Sequence, residues 1–186
     1  MEKLIKDYSE VFERFAQQKN EIHRLWNVGI ETANLLVLLV KILNPNIILE
    51  LGTSNGFSTF HLALLKTAKV ITIDVEDSRQ KLAKENLKQF KNIRFITERI
   101  EDYLPKIDFK IDMLFIDANK THYLKYLKSI EKHLKNNAIV IADNIDSHGE
   151  SIRDYREYVT SSPKYISTHI SIEAGLLVSL FNNNDN

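Results

Sequence analysis

The chain has 186 residues, 44% of them hydrophobic, and carries 25 basic and 25 acidic side chains for a formal net charge of zero. That length suits one well-packed domain and is short for two, and the zero balance supplies no global field to recruit nucleic acid or an anionic membrane. The absence of cysteine excludes disulfides, thiolate metal sites and cysteine nucleophiles, and the longest apolar run, 35–40, falls far below the ~20 residues of a membrane span.

The start of the chain, Met-Glu-Lys-Leu-Ile-Lys-Asp, has no signal-like apolar core, so the expected address is the cytoplasm and no membrane partner is expected. Leu4, Tyr8, Val11, Phe12 and Phe15 recur at helical spacing and form the core face of an amphipathic helix; if that face finds no room on the monomer it becomes a dimer surface, and a homodimer is expected. A second apolar helix at about 32–43 stops at Asn44-Pro45-Asn46. Beyond it the chain alternates between strands at 47–51, 70–74, 93–97, 111–116 and 138–142 and helices at 57–66, 78–90 and 123–134. Continuous apolar strands separated by helices predict a buried parallel sheet. The tail changes character, with a helix at about 152–160, a break at Ser162-Pro163, and two strand-like runs at 165–172 and 176–181 around a Glu173-Ala174-Gly175 turn. The expected fold is therefore α/β, Rossmann-like and doubly wound: a mostly parallel seven-stranded sheet with a C-terminal antiparallel hairpin and helices on both faces. Residues 1–186 are expected to form one domain, in which 1–44 help to build the pocket, 45–181 form the core and 182–186 fray.

The most informative stretch is Ile47-Ile-Leu-Glu-Leu-Gly-Thr-Ser-Asn-Gly-Phe-Ser-Thr-Phe-His61. An apolar strand runs into a turn framed by Gly52 and Gly56, then into a helix carrying Ser58 and Thr59 in its first turn. Such a turn lets backbone approach a ligand closely, and the new helix offers unpaired N–H groups. Glu50, just ahead of the turn, suits a ligand bearing an ammonium or hydroxyls better than a pyrophosphate.

Sites in parallel sheets lie beyond the carboxyl ends of the strands, and here nearly every strand end is acidic. Asp74, ending the second strand, is placed to accept hydrogen bonds from both hydroxyls of a ribose; the competing role is helix capping with Asp77 or Ser78. Asp117, Asp143 and Asn144 end neighbouring strands and offer two carboxylates and an amide oxygen, a hard donor set for magnesium, calcium or manganese. Their competing roles are a helix cap and a turn. The histidines show no pair at helical metal spacing; His122 and His148 fall on strand-end loops within reach of a substrate, whereas His61 reads as a packing residue. Trp26, more often a core residue, is a candidate wall of an acceptor pocket.

On these residues the chain resembles the class I S-adenosylmethionine-dependent methyltransferases, and among them the cation-dependent catechol and caffeoyl-CoA O-methyltransferases. The matching pieces are Asn27-Val28-Gly29, Glu50-Leu-Gly-Thr-Ser-Asn-Gly-Phe-Ser58, Ile73-Asp74, Phe115-Ile-Asp-Ala-Asn-Lys120, Ile141-Ala-Asp-Asn144 and Gly175-Leu-Leu-Val178. The resemblance implies that Val28, Gly52, Gly56 and Ser58 hold the methionine end of S-adenosylmethionine with Glu50 in the same pocket, that Asp74 takes the ribose, and that Glu101 lies in the adenine-side loop. It further implies that Asp117 faces the cofactor and, with Asp143 and Asn144, binds Mg2+ or another divalent cation, and that Lys120 is the general base. The partner implied is a small-molecule acceptor bearing a hydroxyl, of vicinal-diol or catechol type. Asn119 stands where some relatives carry an aromatic wall, which disfavours catechol itself.

Three other readings stay open. An O-methyltransferase of the same fold acting on a hydroxylated tRNA base predicts a basic patch, to which Lys3, Lys6, Arg24, Lys120, Lys125 and Arg153 are contributors; the zero net charge argues against it. An NAD-binding oxidoreductase is disfavoured by the terminal hairpin and the missing third glycine of the fingerprint. A non-enzymatic cofactor-binding protein has no need of the set Asp117, Lys120, Asp143 and Asn144.

Overall fold

The structure, a computed structural model, describes residues 8–21, 25 and 27–182, the side chains of Asn20 and Glu21 excepted. Leu4, His23, Arg24, Trp26 and all but the first residue of the expected frayed tail lie outside the described residues. Seven strands form one sheet in the order β3-β2-β1-β4-β5-β7-β6. They are β1 (Ile47–Leu51), β2 (Lys69–Asp74), β3 (Ile93–Thr97), β4 (Ile111–Ile116), β5 (Leu134–Ala142), β6 (Tyr165–Ile170) and β7 (Leu176–Phe181). The first five run parallel; β7 is antiparallel to both β5 and β6. This is the α/β, mostly parallel sheet with a closing hairpin that the alternating pattern predicts.

The helices are α1 (Ser9–Glu21), α2 (Ile30–Leu43), α3 (Phe57–Leu62), α4 (Asp77–Asn86), α5 (Ile100–Tyr103), α6 (Tyr123–Ile130) and α7 (Arg153–Ser161). None of the described helices is long and apolar enough to cross a membrane. Alternation along each strand feeds two cores. Leu49, Leu51, Ile73, Leu114, Ile116 and Val140 meet α5, α6 and α7 on one face. Ile48, Val70, Met113, Phe115 and Ile141 meet α1, α2 and α3 on the other. On this second face the Tyr8, Phe12 and Phe15 stripe packs around Phe60, with ring centroids 5.4, 5.3 and 6.1 Å away in edge-on arrangements. The stripe is thus the core face of a helix on its own chain. Truncating Phe60 to alanine would cost on the order of 3–5 kcal/mol.

Several boundaries differ from the sequence expectation for local reasons. The helix expected over 57–66 ends at Leu62 because the Asn92 amide donates to the carbonyls of Ala63, Leu65 and Ala68, giving the chain a non-helical exit. The helix expected over 78–90 ends at Asn86, whose carbonyl accepts from the Arg14 guanidinium. The segment 98–102, expected as loop, contains α5, which buries Ile100 and Tyr103. The strand expected over 138–142 begins at Leu134: Asn137 adopts φ 65° and the register shifts so that Ile111 faces Leu134 while Met113 faces Ile139. Asparagine tolerates that left-handed backbone.

Candidate functional site

The sheet order reverses between β1 and β4, and the crevice at such a switch point is where ligands enter open α/β sheets. Here Gly52 is required: at φ 103°, a Cβ on it would meet the Asp117 carbonyl oxygen at 2.0 Å. The two strand ends close on each other, and above them opens a cleft of about 1130 Å³.

Val28, Gly52, Ser58, Asp74 and Glu101 line this cleft towards one end, and Asp117, Lys120, Asp143 and Asn144 also line it. Of the eleven residues singled out by sequence, nine line that wall and Glu50 lies beneath it. Gly56 stands apart: it does not line the cleft, and a Cβ there would meet Leu87 at 2.9 Å and Ala83 at 3.1 Å, so its glycine serves a φ of 90° and the packing of α3 on α4. Glu50 is fully buried under the wall, accepting from Ser58 Oγ at 2.6 Å and Thr59 Oγ1 at 2.5 Å. Burial raises its carboxyl to about 7 despite those hydrogen bonds, with the nearby Asp117 adding to the rise. Glu50 therefore orients Ser58 rather than reaching into the cleft.

Asp74 does more than cap. Its Oδ2 accepts from the backbone N–H groups of Thr53 and Ser54 at 3.1 and 2.9 Å, and its Oδ1 accepts from Glu76 N at 2.9 Å. The carboxylate thereby fastens the glycine turn to the end of β2, and Oδ1 keeps a lone pair for a ligand. Below it, Thr53 Oγ1 lies 2.6 Å from Thr72 Oγ1 and accepts from Gln80 Nε2 at 2.9 Å. On the far side of the turn, Asn55 donates to Gln18 of α1, and Asn86 donates to both Gln18 and the Asn55 carbonyl. A buried amide network thus locks α1 onto the turn.

At the other end, Lys120 Nζ lies 2.6 Å from Asp117 Oδ1, and both side chains are mostly buried. Asp143 is 4% exposed; burial first, then the Asp117 carboxylate, raises its carboxyl to about 7. Asn144 follows at φ 66°, a left-handed conformation that re-aims the chain at the strand end. Glu101 pairs with His122 at 2.8 Å; burial acts to raise its carboxyl, but its own backbone N–H, His122 and Arg99 outweigh that and hold it below the usual range. His148 also lines the cleft, as does His122, whereas His61 is buried among Phe12, Phe57 and Phe60.

Two further residues lie inside the matching motif pieces without a role assigned to them there. Asn27 Oδ1 and Ser54 Oγ are buried on the cleft wall with no protein partner among the described residues. Buried polar atoms are rarely left so unless a ligand or water completes them. Ser54 also holds φ 49°, strain of the kind found at ligand clamps. Their sequence signal was membership of the pieces that contain Val28 and Gly52.

The metal expectation meets a mixed geometry. Among the described residues no group of three or more His, Cys, Asp or Glu side chains is arranged to hold an ion. The set at the crest is instead two neighbouring carboxylates and the amide of Asn144, all oxygen donors. Burial is the first cause of the rise at Asp143 and the Asp117 carboxylate the second; as a donor set, two carboxylates and an amide oxygen are of the hard kind that a divalent cation takes.

A family model described as O-methyltransferase matches residues 5–169, and the chain belongs to that family. It is 34% identical over 163 residues to catechol O-methyltransferase B of Danio rerio, covering 79% of this chain and 60% of that protein. It is 28% identical over 133 residues to a catechol O-methyltransferase of Niastella koreensis, covering 67% of this chain and again 60% of the relative. The chain thus spans about 60% of the length of these two curated relatives. Among solved structures, the O-methyltransferase TomG of Streptomyces achromogenes, in complex with S-adenosylmethionine, superposes with a TM-score of 0.83 at 23% identity, covering 95% of this chain and 89% of that one. That likeness confirms the fold.

Proposed function

We propose that this protein transfers the methyl group of S-adenosylmethionine to a hydroxyl of a small acceptor with vicinal oxygens, in a divalent-cation-dependent reaction. The observation that carries the reading is one continuous cleft: the glycine turn, Asp74 and the two unpartnered atoms of Asn27 and Ser54 line it together with Asp117, Lys120, Asp143 and Asn144.

In this reading the backbone at Gly52 and the Ser58 hydroxyl, oriented by Glu50, receive the methionine end of the donor. Asn27 Oδ1 and Ser54 Oγ gain the hydrogen bonds they lack. Asp74 accepts from a ribose hydroxyl while keeping its hold on Thr53 and Ser54, and Glu101 with His122 flanks the adenine side. Asp117, Asp143 and Asn144 would hold a divalent cation, which when bound supplies a Lewis acid that makes an acceptor hydroxyl more acidic. Lys120, placed by Asp117, takes the hydroxyl proton on Nζ in its neutral-amine form, its own ammonium proton having first passed to solvent. The acceptor oxygen then forms a bond to the methyl carbon as the carbon–sulfur bond breaks, giving a methyl ether and S-adenosylhomocysteine. Opposite charges cancel in this step, so a dry and preorganised cleft suffices without a covalent intermediate.

Calorimetric titration with S-adenosylhomocysteine, followed by methyl transfer to a panel of catechol-bearing acceptors with magnesium and with a chelator, tests the reading. Binding together with chelator-sensitive transfer is the expected result. Absence of binding overturns the assignment of Gly52 and Asp74; transfer that survives the chelator removes the cation.

A further inference from the structure

The turn between β6 and β7 reaches into the working end of the molecule. Helix α2 begins at Gly29, which offers no side chain to cap the first N–H groups. Those groups are taken instead by Glu173, far along the chain: Glu31 N donates to Oε1 at 3.0 Å and Thr32 N donates to Oε2 at 3.3 Å. The carboxylate sits in the space a Cβ on Gly29 would fill, with Glu173 Oε1 1.9 Å and Oε2 2.3 Å from that position. A carboxylate at a helix N-terminus satisfies orphan donors and meets the positive end of the dipole.

The same turn is held on its other side by the loop that follows Asp143 and Asn144. Ile145 N donates to the Gly175 carbonyl at 3.0 Å and Asp146 N donates to the Ala174 carbonyl at 2.9 Å. Gly175, at φ 80°, leaves no room for a Cβ, which would lie 2.3 Å from Asp146 Oδ2. Glu173 itself holds φ 50°, an uncommon conformation for a glutamate. A strained residue is thus clamped between the acidic crest and the start of α2. Immediately before that helix, Asn27 and Val28 line the cleft outside any regular element, with Val28 packed into the core of that face.

We propose that Glu173 is a positioning residue that holds the strap of residues 27–29 against the donor end of the cleft and ties it to the strand-end loop bearing Asp143 and Asn144. The inference rests on the proposed function, since it takes the ligand at that end to be S-adenosylmethionine. It accounts for three features together: a glycine at the N-cap of α2, a left-handed glutamate, and a C-terminal hairpin turned back onto the cleft.

Glu173→Gly separates positioning from stability, because it removes the carboxylate while relieving the positive φ. The expected result is an unchanged melting temperature with a roughly tenfold weaker dissociation constant for S-adenosylhomocysteine, and a higher KM for S-adenosylmethionine with kcat held within about threefold. Glu173→Gln, which keeps an acceptor, should recover most of the affinity. Gly29→Ala, whose methyl displaces the carboxylate, should weaken binding as Glu173→Gly does, and the double variant should be no worse than either single one. Unaltered affinity in Glu173→Gly, or additive losses in the double variant, overturns the inference. A wild-type chain that binds no S-adenosylhomocysteine removes the proposed function and this inference with it; a binding wild type beside an equally binding Glu173→Gly removes the inference alone.

Discussion

The two ends of the same sheet handle polar groups in opposite ways. Where the parallel strands begin, Asp112 gathers three donors: it accepts from the backbone N–H groups of Asn46 and Ile47 at 3.2 and 2.8 Å and from Lys135 Nζ at 2.6 Å. Nearby, one Asn92 amide serves three carbonyls. Where the strands end, the protein buries Glu50 and Asp143 with carboxyls raised to about 7 and leaves Asn27 Oδ1 and Ser54 Oγ without protein partners. Acidic side chains stand at both ends, Asp112 at one and Asp74, Asp117 and Asp143 at the other, so an acidic residue by itself does not mark the site. Incomplete satisfaction alone does not mark it either, since His61 Nε2 and Tyr155 OH are also buried without partners among the described residues; the cleft is distinguished because unpartnered atoms and raised carboxyls gather around one opening.

The contrast is broken most severely at Asp143. Asp143→Ala should lower methyl transfer by about 10³-fold or more, the scale on which loss of electrostatic stabilisation acts. It should leave S-adenosylhomocysteine binding nearly intact and the urea midpoint equal or higher, since a buried, poorly compensated carboxyl is gone. Paired turnover and unfolding measurements check this; unchanged turnover would remove Asp143 from the reaction.

His61 sharpens the comparison through pH. It is fully buried, donates from Nδ1 to the Phe57 carbonyl at 2.8 Å, and leaves Nε2 unpartnered among the described residues. Burial lowers its pKa from 6.5 to about 4, so between those values the unfolded chain binds a proton that the folded chain refuses. Stability associated with the neutral ring is therefore complete above pH 6.5 and is lost as pH falls towards 4, by about 3 kcal/mol in all. Glu50 has the opposite sign: raised to about 7, its neutral form favours the fold at low pH, and that contribution is lost as pH rises from 4.5 through 7. The stability difference between wild type and His61→Phe, followed by denaturant titration from pH 7 to 4.5, should move in favour of the variant on acidification. A difference independent of pH would show that His61 protonates equally in both states.

The smallest effect is expected at the satisfied end. Asp112→Ala should cost about 2 kcal/mol of unfolding free energy, because two backbone donors and one lysine lose their acceptor. With folded protein, kcat and the S-adenosylhomocysteine dissociation constant should match wild type. A loss of turnover there would mean that the two ends of the sheet are coupled.

The order of strands and helices, the doubly wound class and the acidic strand ends were all legible in the chain, because periodicity and turn chemistry act within short windows. The stretch from Ile47 to His61 carries strand, glycine turn and helix start within fifteen residues, and the crest residues follow from where each apolar run stops. Tertiary structure alone decided what the neighbours of those residues are. It set Gly56 against Ala83 and Leu87 instead of the cleft, and turned Glu50 into the partner of Ser58 and Thr59. It also gave Asp74 the task of fastening Thr53 and Ser54 and brought Glu173 to the start of α2. Each of these depends on register and on which side of the sheet a distant segment crosses, and a local pattern contains no term for a partner that the chain meets only after the sheet has closed.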